Sequence, residues 1–172
     1  MLRIIGAVLV IVACSGIGFY EGMELTKHEE VVKQIRQMAL LLKGEIRYGN
    51  SSLFDVFDSV SFKVEGTMRT FLKKMADEMK KADRHLFYEI FEKCTEQENV
   101  CRRMTRGEKK RFLEFGKMLG GSDRETQLAQ MDQYLQELDI GLQELRGEVM
   151  EKRKLYRNLG ILSGFFLVLI LW

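Results

Sequence analysis

The densest concentration of charged side chains lies between residues 102 and 117. Seven bases occur there against two carboxylates, and those bases are Arg102, Arg103, Arg106, Lys109, Lys110, Arg111 and Lys117. Guanidinium and ammonium groups at this density bind carboxylates, phosphates or lipid headgroups. A solvated helix face has the same composition, so the sequence allows two interpretations. The bases form either a docking patch, for an acidic partner or for lipid, or an ordinary solvated surface.

A second grouping of reactive side chains, two thiols and an imidazole, could supply three metal ligands. Cys94 and Cys101 lie on either side of a predicted helix end, and His85 precedes them. None of these spacings is typical of a metal site. An odd cysteine count, with Cys14 inside an apolar run, is typical of a reducing compartment. We therefore predict free thiols, with Cys94 in the core, and no metal.

No catalytic arrangement can be assembled from the sequence. The segment Gly107-Glu108-Lys109-Lys110 lacks the spacing and the hydroxyl of a phosphate-binding loop. The carboxylates fall on predicted solvated faces, and no nucleophile can be paired with a base. We predict a non-enzymatic protein with no catalytic residue and no cofactor.

The elements that position these side chains are predicted to be helices throughout. The sequence has no proline, which favours uninterrupted helices because proline removes a backbone donor and clashes inside a helix. Apolar residues recur at helical spacing in six segments separated by glycine, serine or capping boxes. The predicted helices are 25–48, 53–60, 67–82, 86–94, one from the box Thr105–Glu108 to Gly120-Gly121, and one that opens at the box Ser122–Glu125. The fold class is therefore all-α, with a six-helix bundle over residues 23–154.

The sixth predicted helix carries the most regular pattern in the chain. Its apolar residues alternate steps of three and four: Leu128, Met131, Leu135, Leu138, Leu142, Leu145 and Val149. Such a seam is typical of a coiled coil or a long bundle helix. It fits packing inside its own bundle or self-association with another copy, and the spacing does not decide between them. Because no proline follows, we predict that the helix continues into the C-terminal tract.

Apolar tracts at both ends of the sequence predict membrane attachment. Residues 4–20 carry no charge, and neither do residues 158–172. As helices, these tracts with their flanking residues are long enough to cross a hydrocarbon core. We predict transmembrane helices over 1–22 and 155–172, on either side of the bundle domain.

The bases beside the second tract predict the side of the membrane on which the domain lies. Lys152, Arg153, Lys154 and Arg157 border that tract, whereas Arg3 alone precedes the first. Short loops rich in lysine and arginine stay in the cytoplasm, so we predict a cytoplasmic domain.

The first tract also fits two other interpretations. A short basic start followed by apolar residues is typical of a cleaved signal peptide. Ile11-Val12-Ala13-Cys14 has the shape of a lipoprotein processing box, and lipidation there would anchor an extracytoplasmic lipoprotein or sensor domain through Cys14. The charge bias beside the second tract favours the cytoplasmic arrangement over both.

Small residues at four-residue spacing accompany both tracts, as Gly18 and Gly22 and as Gly160 and Gly164. Such pairs let helices approach closely in lipid, so they are candidates for packing the tracts on each other or on a partner. Between the tracts the charges nearly balance, and net charge predicts no attraction to nucleic acid.

Four stretches of sequence, taken in order, resemble the stage III sporulation protein AB family of endospore-forming bacteria. They are Leu2–Ala7 with Gly16–Tyr20, Leu42–Gly49, Leu119–Asp123 with Gln127, and Lys154–Gly164. The resemblance extends over nearly the whole chain. The sequence departs from the family pattern after Gly49, where the family usually has a Thr-Pro-Leu turn and this chain has Ser51-Ser52-Leu53.

The resemblance implies a role and partners. Family members belong to a secretion-like complex between mother cell and forespore, and their soluble part is similar to the cytoplasmic domain of type II secretion F (platform) proteins. This implies a non-enzymatic scaffold in the mother-cell membrane, required for endospore formation. The implied partners are the complex's cytoplasmic ATPase and its polytopic membrane components.

Four polar residues within or beside these stretches are candidates for contacts across the bundle. Glu45 and Tyr48 end the first predicted helix, and Asp123 and Gln127 start the last. Ordinary caps and surface positions are the alternative interpretation.

Overall fold

The structure of the protein, a computed structural model, describes residues 26–49, 52–81, 86–121 and 123–171, and of residues 153, 154 and 156–171 it describes the backbone alone. Every regular element in these ranges is a helix, which confirms the predicted all-α class with six helices. The helices are α1 (26–48), α2 (Leu53–Ser61), α3 (Gly66–Lys81), α4 (Phe87–Gln97), α5 (Arg106–Gly121) and α6 (Arg124–Leu171).

Helix starts follow the capping residues in the sequence. Ser52 caps α2 in a capping box with Asp55, so the missing Thr-Pro-Leu turn does not remove the cap. At the start of α3, Gly66 has a φ of +60°, a left-handed conformation that glycine adopts without strain. The start of α6 differs from the prediction by one residue. Asp123 accepts the bond from the backbone nitrogen of Thr126 at 3.1 Å, and Ser122 lies outside the described residues.

A phenylalanine cluster forms the centre of the compact unit Glu30–Gly141. Phe71, Phe91 and Phe112 are fully buried, and their ring centroids lie 5.1 to 5.8 Å apart. Cys94 lies in the same core with no exposed surface, as the sequence predicted. Each such ring buries a large apolar area and therefore contributes strongly to the stability of the core.

Ion pairs join α1 and α6 along the edge of this core. The guanidinium of Arg36 binds the carboxylate of Asp139 through two bonds of 2.5 and 3.1 Å. The ammonium of Lys43 pairs with Asp132, which also lies 3.9 Å from Arg47. These pairs are partly exposed, so each contributes less than about 1 kcal/mol.

The predicted seam of α6 is only partly buried. Within Glu30–Gly141, Met131 and Leu135 are buried, whereas Leu128 and Leu138 are half-buried. Tyr134 lies outside the seam and is nevertheless buried, because its ring stacks on Phe115 with centroids 4.6 Å apart. The buried face of α6 is therefore broader than a coiled-coil stripe.

The second compact unit includes residues 26–29 and the rest of α6 from Leu142. In this unit the guanidinium Nε of Arg146 lies 3.2 Å from a carboxylate oxygen of Glu29. Leu142 and Val149 are buried, and Met150 and Leu155 are exposed. The backbone of α6 stays helical as far as Leu171, which confirms the predicted continuation of this helix.

Among the residues that the structure describes, no helix has a stretch long and apolar enough to cross a membrane. The first predicted span, 1–22, with Cys14 and the pair Gly18 and Gly22, lies outside the described residues. In the second, 155–172, the backbone is helical to Leu171, and side chains beyond Leu155 lie outside the described residues, as do the surroundings of Gly160 and Gly164.

Candidate interaction surface

The turn between α4 and α5 carries the first bases of the 102–117 segment. Asn99 has a φ of 52°, a left-handed conformation that asparagine tolerates at the end of a helix. Hydrogen bonds from Val100 to Thr95 (3.2 Å) and from Arg102 to Asn99 (3.0 Å) hold the turn to the end of α4. Because Val100 is also buried, the turn has a defined conformation.

The start of α5 is held by the predicted capping box. The carboxylate of Glu108 accepts bonds from the backbone nitrogen (2.6 Å) and the hydroxyl (2.9 Å) of Thr105, and the backbone nitrogen of Glu108 donates to that hydroxyl at 3.2 Å. The box satisfies backbone donors that the first turn of a helix otherwise leaves unpaired. It also engages the carboxylate of Glu108.

Two glycines position α5 against α4. A Cβ atom added at Gly116 would lie 2.6 Å from a ring carbon of Phe91, and one added at Gly120 would lie 2.8 Å from Phe87. The two helices therefore approach as closely as they do only because these positions lack side chains. The sequence predicted Gly120 as part of the helix end, but it lies inside α5, which ends at Gly121.

All seven bases of the 102–117 segment are exposed, and we call them the basic surface. The buried face of α5 consists of Phe112, Phe115, Gly116 and Leu119, so the packing of α5 turns the bases outward. Among the contacts of these bases, Lys110 lies 3.8 Å from Glu114, Arg111 lies 4.0 Å from Glu137, and Lys117 lies 4.7 Å from the centroid of the Tyr88 ring.

A narrow cleft opens beside the basic surface, between α1, the start of α5 and α6. Its apolar wall consists of Val32, Ile35, Met104 and Leu138, and Tyr134 borders it. Burial raises the pKa of the Tyr134 hydroxyl above its ordinary value, which keeps the group neutral.

Charged and small residues form the remainder of the cleft wall. They are Glu108, Arg111, Glu137 and Gly141. We call this feature the Gly141 cleft. It combines an apolar wall with charged residues.

Three of the four polar candidates for contacts across the bundle form hydrogen bonds or ion pairs in the structure. Glu45 binds Lys63 at 2.5 Å, Asp123 caps α6, and the amide of Gln127 donates to the backbone oxygen of Leu119 at 2.8 Å. The side chain of Tyr48 is 85% exposed. The ends of α1 and α6 are joined instead by Arg124, whose guanidinium donates to the backbone oxygens of Arg47 and Gly49.

The two thiols in the described part of the chain are shielded from solvent. Burial raises the pKa of Cys94, and it raises the pKa of the half-buried Cys101 to about 11. Both thiols are therefore mostly protonated near neutral pH, which slows their reactions. His85 lies outside the described residues, and within these residues no three potential ligands come close enough to hold a metal ion.

Comparisons with known proteins agree with the sequence resemblance. The family model for stage III sporulation protein AB matches residues 3–172. The stage III sporulation protein AB of Bacillus subtilis (strain 168) is 23% identical over 171 residues, which is 99% of each chain. A solved structure of a stage III sporulation protein AB covers 70% of this chain and 94% of its own, with a TM-score of 0.60 and 19% identity, which shows a shared fold. The chain therefore belongs to the stage III sporulation protein AB family.

Proposed function

We propose that this protein is a non-enzymatic scaffold of the stage III sporulation apparatus, tethered to the mother-cell membrane that faces the forespore. Its bundle domain lies in the cytoplasm and docks other components of the secretion-like channel complex, including the cytoplasmic ATPase and polytopic membrane proteins. Membership of the stage III sporulation protein AB family supports the role in sporulation. The scaffold role and its location are our inference.

The single observation that carries the tethered-scaffold proposal is the continuity of α6. This helix begins at Arg124, contributes Met131, Tyr134 and Leu135 to the core, and continues to Leu171 without a break. Its last residues, 158–171, carry no charge. A helix with a packed beginning and an uncharged end joins a folded domain to an apolar environment without a flexible linker.

The basic surface supports the docking role. It projects from a turn and a helix that are fixed by the Asn99 conformation, the Thr105–Glu108 box and the contact of Gly116 with Phe91. Exposed guanidinium groups on such a fixed backbone bind carboxylates with geometric specificity.

Deleting the predicted spans tests this proposal. Cells that carry the chain without 1–22, without 155–172, or without both should form few heat-resistant spores, and the chain that lacks both should leave the membrane fraction. The matched control replaces each span with an unrelated transmembrane helix of the same orientation, which should retain membrane attachment. If the chain without both spans restored spore formation fully, the tethered-scaffold proposal would be wrong.

A cysteine introduced at Gly121 tests the cytoplasmic location against the lipoprotein alternative. Gly121 is exposed, and an added Cβ meets no atom within 4 Å, whereas Cys94 and Cys101 are shielded and give a low background. In intact cells a membrane-impermeant maleimide should leave Gly121→Cys unlabelled and should label it after lysis. Labelling before lysis would place the domain outside the cytoplasm.

A further inference from the structure

One side of α5 presents a row of four charged residues to solvent. Arg106, Lys110, Glu114 and Lys117 are all exposed, and their spacing of four, four and three residues places them on the same side of the helix. We call this row the α5 ridge, and at 1.5 Å per residue it is about 16 Å long. Its charges follow the order positive, positive, negative, positive, while another side of α5 is buried in the core.

The contacts made by the α5 ridge leave its charges available to a partner. The ammonium of Lys110 lies 3.8 Å from the carboxylate of Glu114, and the two side chains are 78% and 57% exposed. An ion pair this exposed contributes little, so both groups can bind other charges. The ammonium of Lys117 lies 4.7 Å from the centroid of the Tyr88 ring, a contact that restricts the side chain without neutralising its charge.

An equivalent row on α3 shows what distinguishes the α5 ridge. Arg69, Lys73, Asp77 and Lys80 have the same spacing and the same order of charges, and all four are exposed. However, the 16 residues of α3 contain five bases and two carboxylates, whereas residues 102–117 contain seven bases and two carboxylates. One of the latter carboxylates, Glu108, is engaged in the capping box. The local excess of positive charge is therefore greater around the α5 ridge, which favours an acidic partner there.

We propose that the α5 ridge binds an acidic segment of a partner polypeptide, with carboxylates opposite its three bases and a base opposite Glu114. The inference rests on the proposed scaffold function and names the chemistry of the segment that the scaffold docks. The carboxylate inside the ridge selects a polypeptide over an anionic bilayer. A polypeptide can match both signs of charge, whereas a uniformly negative lipid surface is repelled at Glu114. Matched charges of this kind determine orientation and exclude wrong partners.

Charge reversal on the two equivalent rows tests the proposal in cells. The α5 variant carries Arg106→Glu, Lys110→Glu and Lys117→Glu. The α3 variant carries Arg69→Glu, Lys73→Glu and Lys80→Glu, at exposed positions of the same spacing. The α5 variant should reduce heat-resistant spores about tenfold or more, because three attractive pairs become repulsive, while the α3 variant should stay within about twofold of the unchanged chain. Both full chains should remain in the membrane fraction and unfold at similar temperatures in detergent.

Glu114→Lys separates a polypeptide of matched charges from a uniform anion. Fluorescein-labelled poly-L-glutamate is the uniform probe, and anisotropy measures its binding to the full chain in detergent micelles at low salt. Glu114→Lys should tighten this binding, because the ridge then carries bases alone. In cells the same variant should reduce heat-resistant spores, because the partner's base meets a like charge. The matched control is Asp77→Lys in α3, which adds the same charge at an exposed position and should sporulate like the unchanged chain.

Vesicles test the lipid alternative. The full chain in nanodiscs of phosphatidylcholine is mixed with vesicles of phosphatidylcholine and phosphatidylserine in equal amounts, and the unchanged chain and the α5 variant should bind these vesicles equally.

Three results would overturn the inference. Vesicle binding that the α5 variant loses would make the bilayer the occupant. Equal sporulation of the α5 and α3 variants would show that the α5 ridge has no special role. Sporulation of Glu114→Lys at or above the level of the unchanged chain would show that no base lies opposite Glu114. Each of these results leaves the tethered-scaffold proposal intact, because the span deletions test that proposal.

Discussion

Replacing Gly116 by alanine tests how closely α4 and α5 pack. The added methyl group would lie 2.6 and 2.7 Å from two ring carbons of Phe91, well inside contact distance. The ring cannot move away easily, because Phe91 is fully buried and its centroid lies 5.3 Å from that of Phe71 and 5.1 Å from that of Phe112. The clash must therefore push the two helices apart.

Two opposing effects decide the size of the change. Overpacking a well-filled core destabilises by about 1–3 kcal/mol, whereas alanine in place of glycine inside a helix stabilises by up to about 1 kcal/mol. We expect the overpacking to dominate and the free energy of unfolding to fall by about 1–2 kcal/mol. For a packed unit of this size that loss lowers the unfolding temperature by roughly 4–8 °C.

Thermal and urea unfolding of the full chain in detergent, followed by circular dichroism at 222 nm, measures this loss. The matched control is Gly44→Ala in α1, where an added Cβ meets nothing within 4 Å and stability should rise slightly. A double variant with Phe91→Leu should lose less than the sum of the two single changes, because the smaller side chain makes room. If Gly116→Ala were as stable as Gly44→Ala, the close approach of α4 and α5 would be refuted.

Three further predictions concern the thiols, the cap of α5 and acid stability. Cys101, whose pKa burial raises to about 11, should react with iodoacetamide at pH 8 far more slowly in the folded chain than in urea, and Cys94 should as well; mass spectrometry of the alkylated chain measures both rates, and equal rates with and without urea would contradict the burial. Thr105→Ala removes the hydroxyl of the capping box and should lower the free energy of unfolding by about 1 kcal/mol in urea titrations, so an unchanged midpoint would show that the box contributes nothing. Hydrogen bonds from Thr126 hold the pKa of Asp123 below its ordinary value. Because the pKa is lower in the folded chain than in the unfolded chain, where it is near 4, the ionised carboxylate stabilises the fold above that pH. This stabilisation is lost as the pH falls through the pKa of the folded chain. Asp123→Ala should therefore be less stable than the unchanged chain at pH 7, and the difference should disappear well below pH 4; a difference that persisted there would exclude a role for the ionised carboxylate.

The helices were predictable because their signals are local. Apolar spacing, capping boxes and glycine breaks lie within a few residues of the ends that they determine, and the Ser52 and Thr105 caps occur where the pattern placed them. The end of α4 was predicted at Cys94, but the helix continues to Gln97. No glycine or proline marks that end, since Asn99 supplies the left-handed residue instead.

Features made by distant residues were not predictable. In the sequence, Gly116 is only an unfavourable residue inside a helix. Its role depends on the close contact with Phe91, which is distant in the chain and is brought there by packing. Tyr134 falls between seam positions and is buried because Phe115 of α5 faces it. The Gly141 cleft needs residues from α1, α5 and α6 together, whereas periodicity describes one helix at a time. The bases of the basic surface were evident in sequence, but their common exposure depends on which face of α5 is buried.

The defined conformation of the turn between α4 and α5 affects how fast a partner associates with it. With Asn99 in a left-handed conformation and Val100 buried, the backbone that carries Arg102 and Arg103 is ordered before an encounter, so association loses little conformational entropy there. Charges exposed on a preformed surface accelerate encounters in a manner that added salt suppresses, whereas the contacts that exclude water govern how long a complex lasts. The bases of this turn therefore influence how fast a partner associates, whereas apolar contacts beside them influence how slowly it dissociates.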